Sequence, residues 1–399
     1  MTLRDLRSVT VADVVKAGRM AGTLERSSGG CVFTYLPGYQ GPPVAWTLPT
    51  GPSPVIASAG AVPPFFAGLL PEGRRLTALR RALKTSADDD FSLLLAIGHD
   101  TIGDVQVLPR GATPARNAEF APADLSEVTF DELYARVLQP DPQDRVGLPG
   151  IQAKLSDGMI SLPLSWGDRP SILKLEPPEF PGVVDNEAHF LTLAGLAGLR
   201  VPDHEIVVDA VGASGLLVAR FDRVPGADGG WQPLAQEDGC QALGRYPADK
   251  YRVTTEDVLG ALAQSCDAPI VAARDLFRSV VFAYLTANGD AHAKNFSIGP
   301  DVHGEWRPTP SYDQLTTYPY GDVTNALSVG GRSADIGRRE LLSLAGAVAL
   351  RERAAARVIS QVADVVEADL DNLAQLPFDD RRIHKLSKAI RYRLERVRR

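Results

Sequence analysis

The sequence of 399 residues is poor in cysteine, with only Cys31, Cys240 and Cys266. These three are far apart and form no C-x-x-C pair, so neither a zinc site nor a disulfide framework is indicated, and a reducing compartment is expected. The chain also lacks any apolar run approaching the ~20 residues of a membrane-spanning helix. Residues 1–20 mix arginine and aspartate with apolar residues and show no signal-peptide core, which favours a cytoplasmic protein that does not contact the membrane.

An overall basic excess is missing as well, since the formal net charge is −7. This balance argues against extensive nucleic-acid binding, although it leaves room for a local basic patch. Residues 381–399 form such a patch, which we interpret as a solvated helix face, with a nucleic-acid contact as the alternative. With 44% hydrophobic residues, the chain can bury a large core and is expected to divide into two or three domains.

Residues 288–296 combine an acid, a histidine, a lysine and an amide between two apolar segments. Asn295 stands five positions after Asp290, which is the spacing between the base and a metal ligand in kinase catalytic loops, and Asp313 follows later. An Asn carbonyl and an Asp carboxylate supply the hard oxygen ligands that Mg²⁺ prefers. The spacing alone is common by chance, so the hypothesis of a phosphotransferase depends on its context.

Local patterns predict the surrounding elements. Alternating residues on both sides of a glycine turn predict a hairpin over 20–35. Helices are expected over 74–84, over 91–97 with an acidic cap, and over 255–263 and 271–288. A Pro- and Ala-rich stretch near 109–122 indicates a linker. The tail from Arg338 to Arg399 is predicted to be almost entirely helical.

A glycine loop covers residues 147–156 and contains Gly147, Gly150, Gln152 and Lys154. Its backbone N–H groups are suited to cradling phosphates, but the loop does not match the Walker pattern and would by itself more often be an ordinary turn. We take these four residues as candidates for binding a nucleotide.

The segment 171–175 reads as a buried strand that presents Lys174, and a helix opening near 184 carries Glu187, with Asp185 as its expected cap. A strand lysine paired with a helix glutamate holds the α- and β-phosphates in kinases. The alternative is a surface ion pair of little consequence. The apolar strand 215–223 follows. In a two-lobed kinase the hinge that meets adenine would lie here, and the alternative is a core strand with a solvated end.

Taken in order, these motifs resemble the HipA family of serine/threonine kinases, which are toxins of bacterial toxin–antitoxin pairs. The resemblance includes residues 68–73 and 96–109, continues through 172–175, 184–187, 220–223 and 236–241, and is most specific in the loop 289–297. It implies an α+β, two-lobed protein-kinase-like fold. The implied domains are an N-terminal HipA-type domain over 1–110 that contacts the antitoxin, a kinase N-lobe over 123–235, and a helical C-lobe over 236–399.

The resemblance also implies roles for individual residues. Asp290 would be the catalytic base, and Lys174 would contact the ATP phosphates. Independently of the resemblance, the place of His292 inside the loop favours a role in orienting Asp290 or a phosphate over metal binding. Asn295 and Asp313 would hold Mg²⁺. The remaining nucleotide contacts would come from Glu187, Ala219, Phe221, Asp222 and Tyr312.

The implied partners are a HipB-like DNA-binding antitoxin, with DNA contacted only through it, and a protein substrate phosphorylated on serine or threonine. For the best-known members of the family this substrate is an aminoacyl-tRNA synthetase. One departure concerns regulation, because relatives commonly carry a serine in the glycine loop whose self-phosphorylation switches the kinase off. Here Gly147 and Pro149 occupy the matching positions, so inactivation by that route is not expected unless Ser156 substitutes.

Two other functions stay open from the residues. Sugar and antibiotic kinases share the logic of the Asp290 and Asn295 spacing, so a small-molecule kinase is one alternative. The other is a catalytically silent module that binds an antitoxin or its DNA complex. The intact set of Lys174, Asp290, Asn295 and Asp313 favours the enzyme, because a scaffold would not need all four.

Overall fold

The computed structural model describes residues 3–27, 30–58, 60–86, 88–114, 125–133, 160–227 and 229–399. Across these ranges no helix is both long enough and apolar enough to cross a membrane. The three cysteines are free and buried.

The N-terminal region is built on a five-stranded antiparallel sheet with strand order β4-β3-β2-β1-β5. The predicted hairpin is confirmed, since Gly22 pairs with Tyr35 and Ser27 with Gly30 across its two strands. The expected helices near 74–84 and 91–97 are present, and the carboxylate of Asp89 accepts the N–H of Ser92 at 3.2 Å as a cap. The elements are β1 (Val11–Lys16), β2 (Arg19–Ser27), β3 (Gly30–Tyr35), β4 (Val55–Ala57), α1 (Pro64–Gly68), α2 (Gly73–Leu83), α3 (Asp90–Ile97) and β5 (Val105–Pro109).

A second antiparallel sheet follows, with strand order β6-β7-β9-β8, and a helix packs against it. The prediction that Asp185 caps this helix is wrong: the helix begins at Val183, and Gly182, with a left-handed φ of 78°, occupies the cap. Asp185 lies in the first turn instead, where an acid still interacts favourably with the helix dipole. The elements are β6 (Ile160–Trp166), β7 (Arg169–Leu175), α4 (Val183–Leu196), β8 (His204–Val208), β9 (Ser214–Ala219), β10 (Arg223–Pro225) and β11 (Trp231–Pro233).

The remainder is mainly helical and surrounds the largest apolar core. Most buried residues of the long helix Pro269–Leu285 belong to this core. A small three-stranded sheet of β12, β13 and β14 adjoins it. The elements are β12 (Glu237–Asp238), α5 (Gly239–Ala242), α6 (Thr255–Gln264), α7 (Pro269–Leu285), β13 (Ser297–Pro300), β14 (Trp306–Pro308), α8 (Arg338–Ala347), α9 (Glu352–Ala368) and α10 (Asp380–Arg398).

The architecture is therefore α+β, with a sheet-based lobe and a helical lobe, as the sequence predicted. The helix expected over 271–288 ends earlier, at Leu285, because Ala287 adopts a left-handed φ of 58°. The domain boundaries at 110, 123 and 235 stay predictions.

Candidate active site in the cleft

A cavity that is partly open to solvent lies between the four-stranded sheet and the helical lobe. Its walls include many of the residues singled out from the sequence. These are Lys174, Ala219, Phe221, Asp222, His292, Asn295, Tyr312 and Asp313.

The end of α7 sets the course of the loop that carries Asp290. Beyond the left-handed turn at Ala287, the side chain of Asn288 accepts the N–H of Asp290 at 3.0 Å and donates to the carbonyl oxygen of Asp313 at 3.2 Å. Gly289 is required here, because a Cβ would lie 2.6 Å from the carbonyl oxygen of Thr324. Asn288 thus ties the two predicted loops together, a role that the sequence analysis did not assign.

Asp313 is the meeting point of the predicted site. One carboxylate oxygen lies 2.5 Å from Nζ of Lys174, and the other accepts the amide N–H of Asn295 at 2.9 Å. The backbone of Asp313 has a left-handed φ of 52°, which non-glycine residues seldom adopt. Lys174 and Asn295 therefore both contact Asp313, and Asn288 links Asp313 to Asp290, while a metal site shared by Asp290, Asn295 and Asp313 stays a prediction.

Lys174 also binds Glu187, with 2.5 Å between Nζ and Oε1. The Glu187 side chain is only 1% exposed, so the alternative of a solvated surface pair is wrong. Burial lowers the pKa of Lys174, but Asp313 and Glu187 outweigh it, and the net shift is upward. Burial raises the pKa of Glu187, and Lys174 only partly opposes this. One cation, Lys174, is thus shared by two carboxylates, those of Glu187 and Asp313.

The donor set at Asn295 and Asp313 fits Mg²⁺. The Asn295 carbonyl accepts the N–H of His292 at 3.1 Å and keeps a second lone pair, and each Asp313 oxygen also has one to spare. Across the described part of the chain, no group of three or more His, Cys, Asp or Glu side chains is placed to hold a metal. Mg²⁺ commonly takes only one or two protein ligands, completing its shell with water and phosphate, so two are sufficient.

Two aromatic side chains, Phe221 and Tyr312, form part of the cavity wall. The rings of Phe221 and Tyr312 stack with centroids 5.7 Å apart and planes at 30°. The Tyr312 hydroxyl donates to the carbonyl oxygen of Lys294 at 2.6 Å and lies 2.5 Å from Oγ of Ser297. Burial raises the pKa of Tyr312 well above its usual range, so it stays neutral. This flat, uncharged surface suits a planar base.

Asp222 lines the cavity but directs its carboxylate elsewhere. It accepts hydrogen bonds from Arg220 at 2.8 Å, Arg223 at 2.6 Å and the N–H of Gly103 at 3.1 Å. Burial raises its pKa, yet the two arginines outweigh this and hold the pKa well below the ordinary value. Its main contacts therefore fasten the end of β9 to the N-terminal region, and a contact with a nucleotide stays a prediction.

His292 and Asp290 are both buried beside Tyr251, which the sequence analysis missed. The Tyr251 hydroxyl donates to the Asp290 carboxylate at 2.5 Å, and its ring packs edge-on against the His292 ring, with centroids 5.2 Å apart. No local motif marks Tyr251, since 39 positions separate it from Asp290. The predicted roles of Asp290 and His292 stay predictions. The glycine-loop candidates Gly147, Gly150, Gln152 and Lys154 lie outside the described residues.

Two models of known protein domains match this sequence. Residues 12–108 match the model of the HipA N-terminal domain, and residues 146–370 match the HipA-like C-terminal domain. The "Putative kinase Y4mE" of Sinorhizobium fredii is 32% identical, over 98% of this chain and 99% of its own. The "Serine/threonine-protein kinase toxin HipA" of Shewanella oneidensis is 29% identical, over 70% of this chain and 69% of its own.

Among solved structures, the Shewanella oneidensis complex of HipA, HipB and operator DNA contains a chain that superposes with a TM-score of 0.75. The alignment covers 97% of both chains at 24% sequence identity. This likeness confirms the predicted fold.

Proposed function

The chain belongs to the HipA family, whose named relatives are kinases, and we propose that it is an ATP- and Mg²⁺-dependent serine/threonine protein kinase acting as the toxin of a toxin–antitoxin pair. The observation that carries this proposal is the contact of both Lys174 and Asn295 with Asp313 in the wall of the cavity. The small-molecule kinase and the silent module have less support, because the relatives named above are kinases and one of them is a serine/threonine-protein kinase.

In the proposed reaction Lys174, held in place by Glu187, contacts the phosphates of ATP, while Phe221 and Tyr312 flank the adenine. Asn295 and Asp313 would hold Mg²⁺, which neutralises charge on the phosphates when it is bound. Asp290 accepts the proton of the acceptor hydroxyl as the hydroxyl oxygen bonds to the γ-phosphorus and the bond to ADP breaks. A positioned base of this kind contributes roughly 10²- to 10⁴-fold to the rate.

The proposed partner is a HipB-like antitoxin, through which the protein would reach DNA indirectly. Support comes from the solved HipA relative, whose structure contains HipB and operator DNA. The proposed acceptor is a serine or threonine of a translation-related protein such as an aminoacyl-tRNA synthetase. This assignment of the acceptor follows from the family alone.

Transfer of radiolabelled phosphate from ATP into a bacterial lysate tests the proposal. The natural chain should label serine or threonine of a protein in the presence of Mg²⁺, and chelation of the metal or the substitution Asp290→Asn should abolish labelling. Label found only in metabolites would favour a small-molecule kinase.

A thermal-shift measurement with Mg·ATP separates an enzyme from a silent module. A ligand at 100 times its Kd stabilises the folded state by about 2.7 kcal/mol. Asp290→Asn should keep this stabilisation, because Asp290 acts on the acceptor rather than on the nucleotide. No shift with the natural chain would contradict the proposal.

A further inference from the structure

Four buried charged side chains lie between the N-terminal region and the loop that carries Asp290. Nζ of Lys250 lies 2.6 Å from one carboxylate oxygen of Glu72, and Nζ of Lys294 lies 3.5 Å from the other. Lys294 also binds Asp238 at 3.0 Å and donates to the carbonyl oxygen of Gly68 at 3.1 Å. Glu72, Lys250, Lys294 and Asp238, here named the ionic cluster, are each less than 10% exposed.

The charges of the ionic cluster balance only when Glu72 is present, since two lysines then face two carboxylates. Lys250 is completely buried, and its carboxylate partner is Glu72. Burial lowers the pKa of Lys250, and Glu72 opposes that effect. Loss of the Glu72 charge would leave Asp290 as the acid that still stabilises the buried Lys250 cation, and removal of one partner of a buried pair destabilises the segments that carry the other.

The segments that would move hold the proposed catalytic groups. The carbonyl oxygen of Lys250 accepts the N–H of Ala293 at 3.1 Å, and the next residue, Tyr251, donates to Asp290 at 2.5 Å. On the other side of the cluster, Lys294 directly precedes Asn295. Glu72 therefore pairs with two lysines next to the proposed site. Lys250 precedes Tyr251, which holds the proposed base, and Lys294 precedes the proposed metal ligand Asn295.

Glu72 itself is firmly placed. It stands at the start of α2, directly after the segment that follows α1. Helix α1 itself is anchored to the helical lobe, because the side chain of Gln241 donates to the carbonyl oxygen of Phe65 at 3.1 Å. A fixed carboxylate of the N-terminal region thus reaches the back of the loop in the other lobe.

We infer that Glu72 is a positioning residue for phosphoryl transfer, so that the N-terminal region completes the active site through the ionic cluster. This inference rests on the proposed kinase function. It assigns to the N-terminal region a part in the reaction, beyond the proposed contact with an antitoxin. Glu72 acts through Lys250 and Lys294 and does not touch ATP.

Glu72→Gln in the full-length chain is the direct test, because it removes the charge and keeps the shape. The kcat for phosphate transfer should fall at least tenfold, and by a larger factor than the KM for ATP rises, since Glu72 itself does not contact the nucleotide. Glu72→Asp keeps the charge and should recover at least part of kcat. A structural role alone would not separate kcat from KM in this way.

Glu237→Gln is the matched control. Glu237 is also a buried carboxylate at the boundary with the N-terminal region, where it accepts the N–H of Trp46 at 2.9 Å, but it lies outside the ionic cluster. Its substitution should leave kcat within about twofold. Equal losses of kcat in both variants would overturn the inference.

Hydrogen exchange provides a readout that does not depend on activity. Amides in a peptide covering 288–296 should exchange faster in Glu72→Gln than in the natural chain or in the control. Unchanged exchange would overturn the inference even if the natural chain proves to be an active kinase. If exchange is faster in Glu72→Gln but the natural chain transfers no phosphate, the proposed function has failed and the positioning contact has not.

A double variant guards against misfolding of the single one. Glu72→Gln with Lys250→Met removes both charges of the pair and should therefore melt near the temperature of the natural chain. Its kcat should stay low, because the link to the N-terminal region is still missing. A double variant with natural stability and natural kcat would show that the pair has no part in positioning.

Discussion

The buried carboxyl of Glu237 predicts a specific dependence of stability on pH. Burial raises its pKa from the ordinary 4.5 to about 7, against the opposing effects of the Trp46 N–H and Lys16 and with a smaller upward effect from Asp238 and Asp104. The folded state therefore binds a proton more tightly than the unfolded state does. The stabilisation from this proton is complete below pH 4.5 and is lost as the pH rises through 7.

The expected magnitude follows from the separation of the two pKa values, which corresponds to about 3 kcal/mol when the pH lies above both. Glu237→Gln keeps an acceptor for the Trp46 N–H and cannot ionise. The free energy of unfolding of this variant should therefore exceed that of the natural chain by about 3 kcal/mol at pH 8 and by less than about 1 kcal/mol at pH 5.

Urea unfolding followed by tryptophan fluorescence is a suitable assay. The rings of Trp46 and Trp306 lie 5.7 Å apart beside this boundary and report its opening. Asp104→Asn is the contrasting control, because it breaks the buried pair with Lys16 at 2.7 Å and should destabilise the protein at both pH values. Equal stabilities of Glu237→Gln and the natural chain at pH 8, or a difference independent of pH, would refute the reasoning.

Two further predictions concern the cleft. Lys174→Met should abolish phosphate transfer and, by leaving Glu187 and Asp313 without their shared cation, lower the unfolding free energy by roughly 3–5 kcal/mol. Adding Glu187→Gln should recover most of the stability in urea and none of the activity. Asp313→Asn should remove the part of the ATP-induced thermal shift that requires Mg²⁺, whereas a shift equal to that of the natural chain would exclude Asp313 as a metal ligand.

The sequence predicted those parts of the molecule whose signal is local. The hairpin of β2 and β3 depends on alternation around a turn, and the Asp290 and Asn295 loop is a contiguous motif. Lys174 and Glu187 were recognisable because each stands in a strand or helix of clear pattern. The pair they form was confirmed, since their side chains meet at 2.5 Å.

The contacts that were missed join residues distant in the chain. Glu72 and Lys250 are 178 positions apart, and although Glu72 lies in the segment 68–73 that resembles the family, nothing in the sequence pairs it with Lys250. A single lysine or tyrosine in a sequence looks the same whether it faces solvent or a buried carboxylate, since only the tertiary fold decides its neighbours. The cap of α4 was misassigned for a related reason, because both an acid and a glycine favour a helix start and backbone geometry selected Gly182.

The backbone of Asp313 is left-handed, with a φ of 52°. Such a conformation costs about 1–2 kcal/mol for a residue other than glycine, and it persists when surrounding contacts fix it. Here the hydrogen bond from Asn288 to its carbonyl oxygen and the contacts of its carboxylate with Lys174 and Asn295 do so. Asn288 also holds Asp290, so a shift of either loop would disturb the other. Because Lys174 already neutralises Asp313 in this structure, binding of a metal and a triphosphate would exchange partners within a preformed arrangement rather than build one.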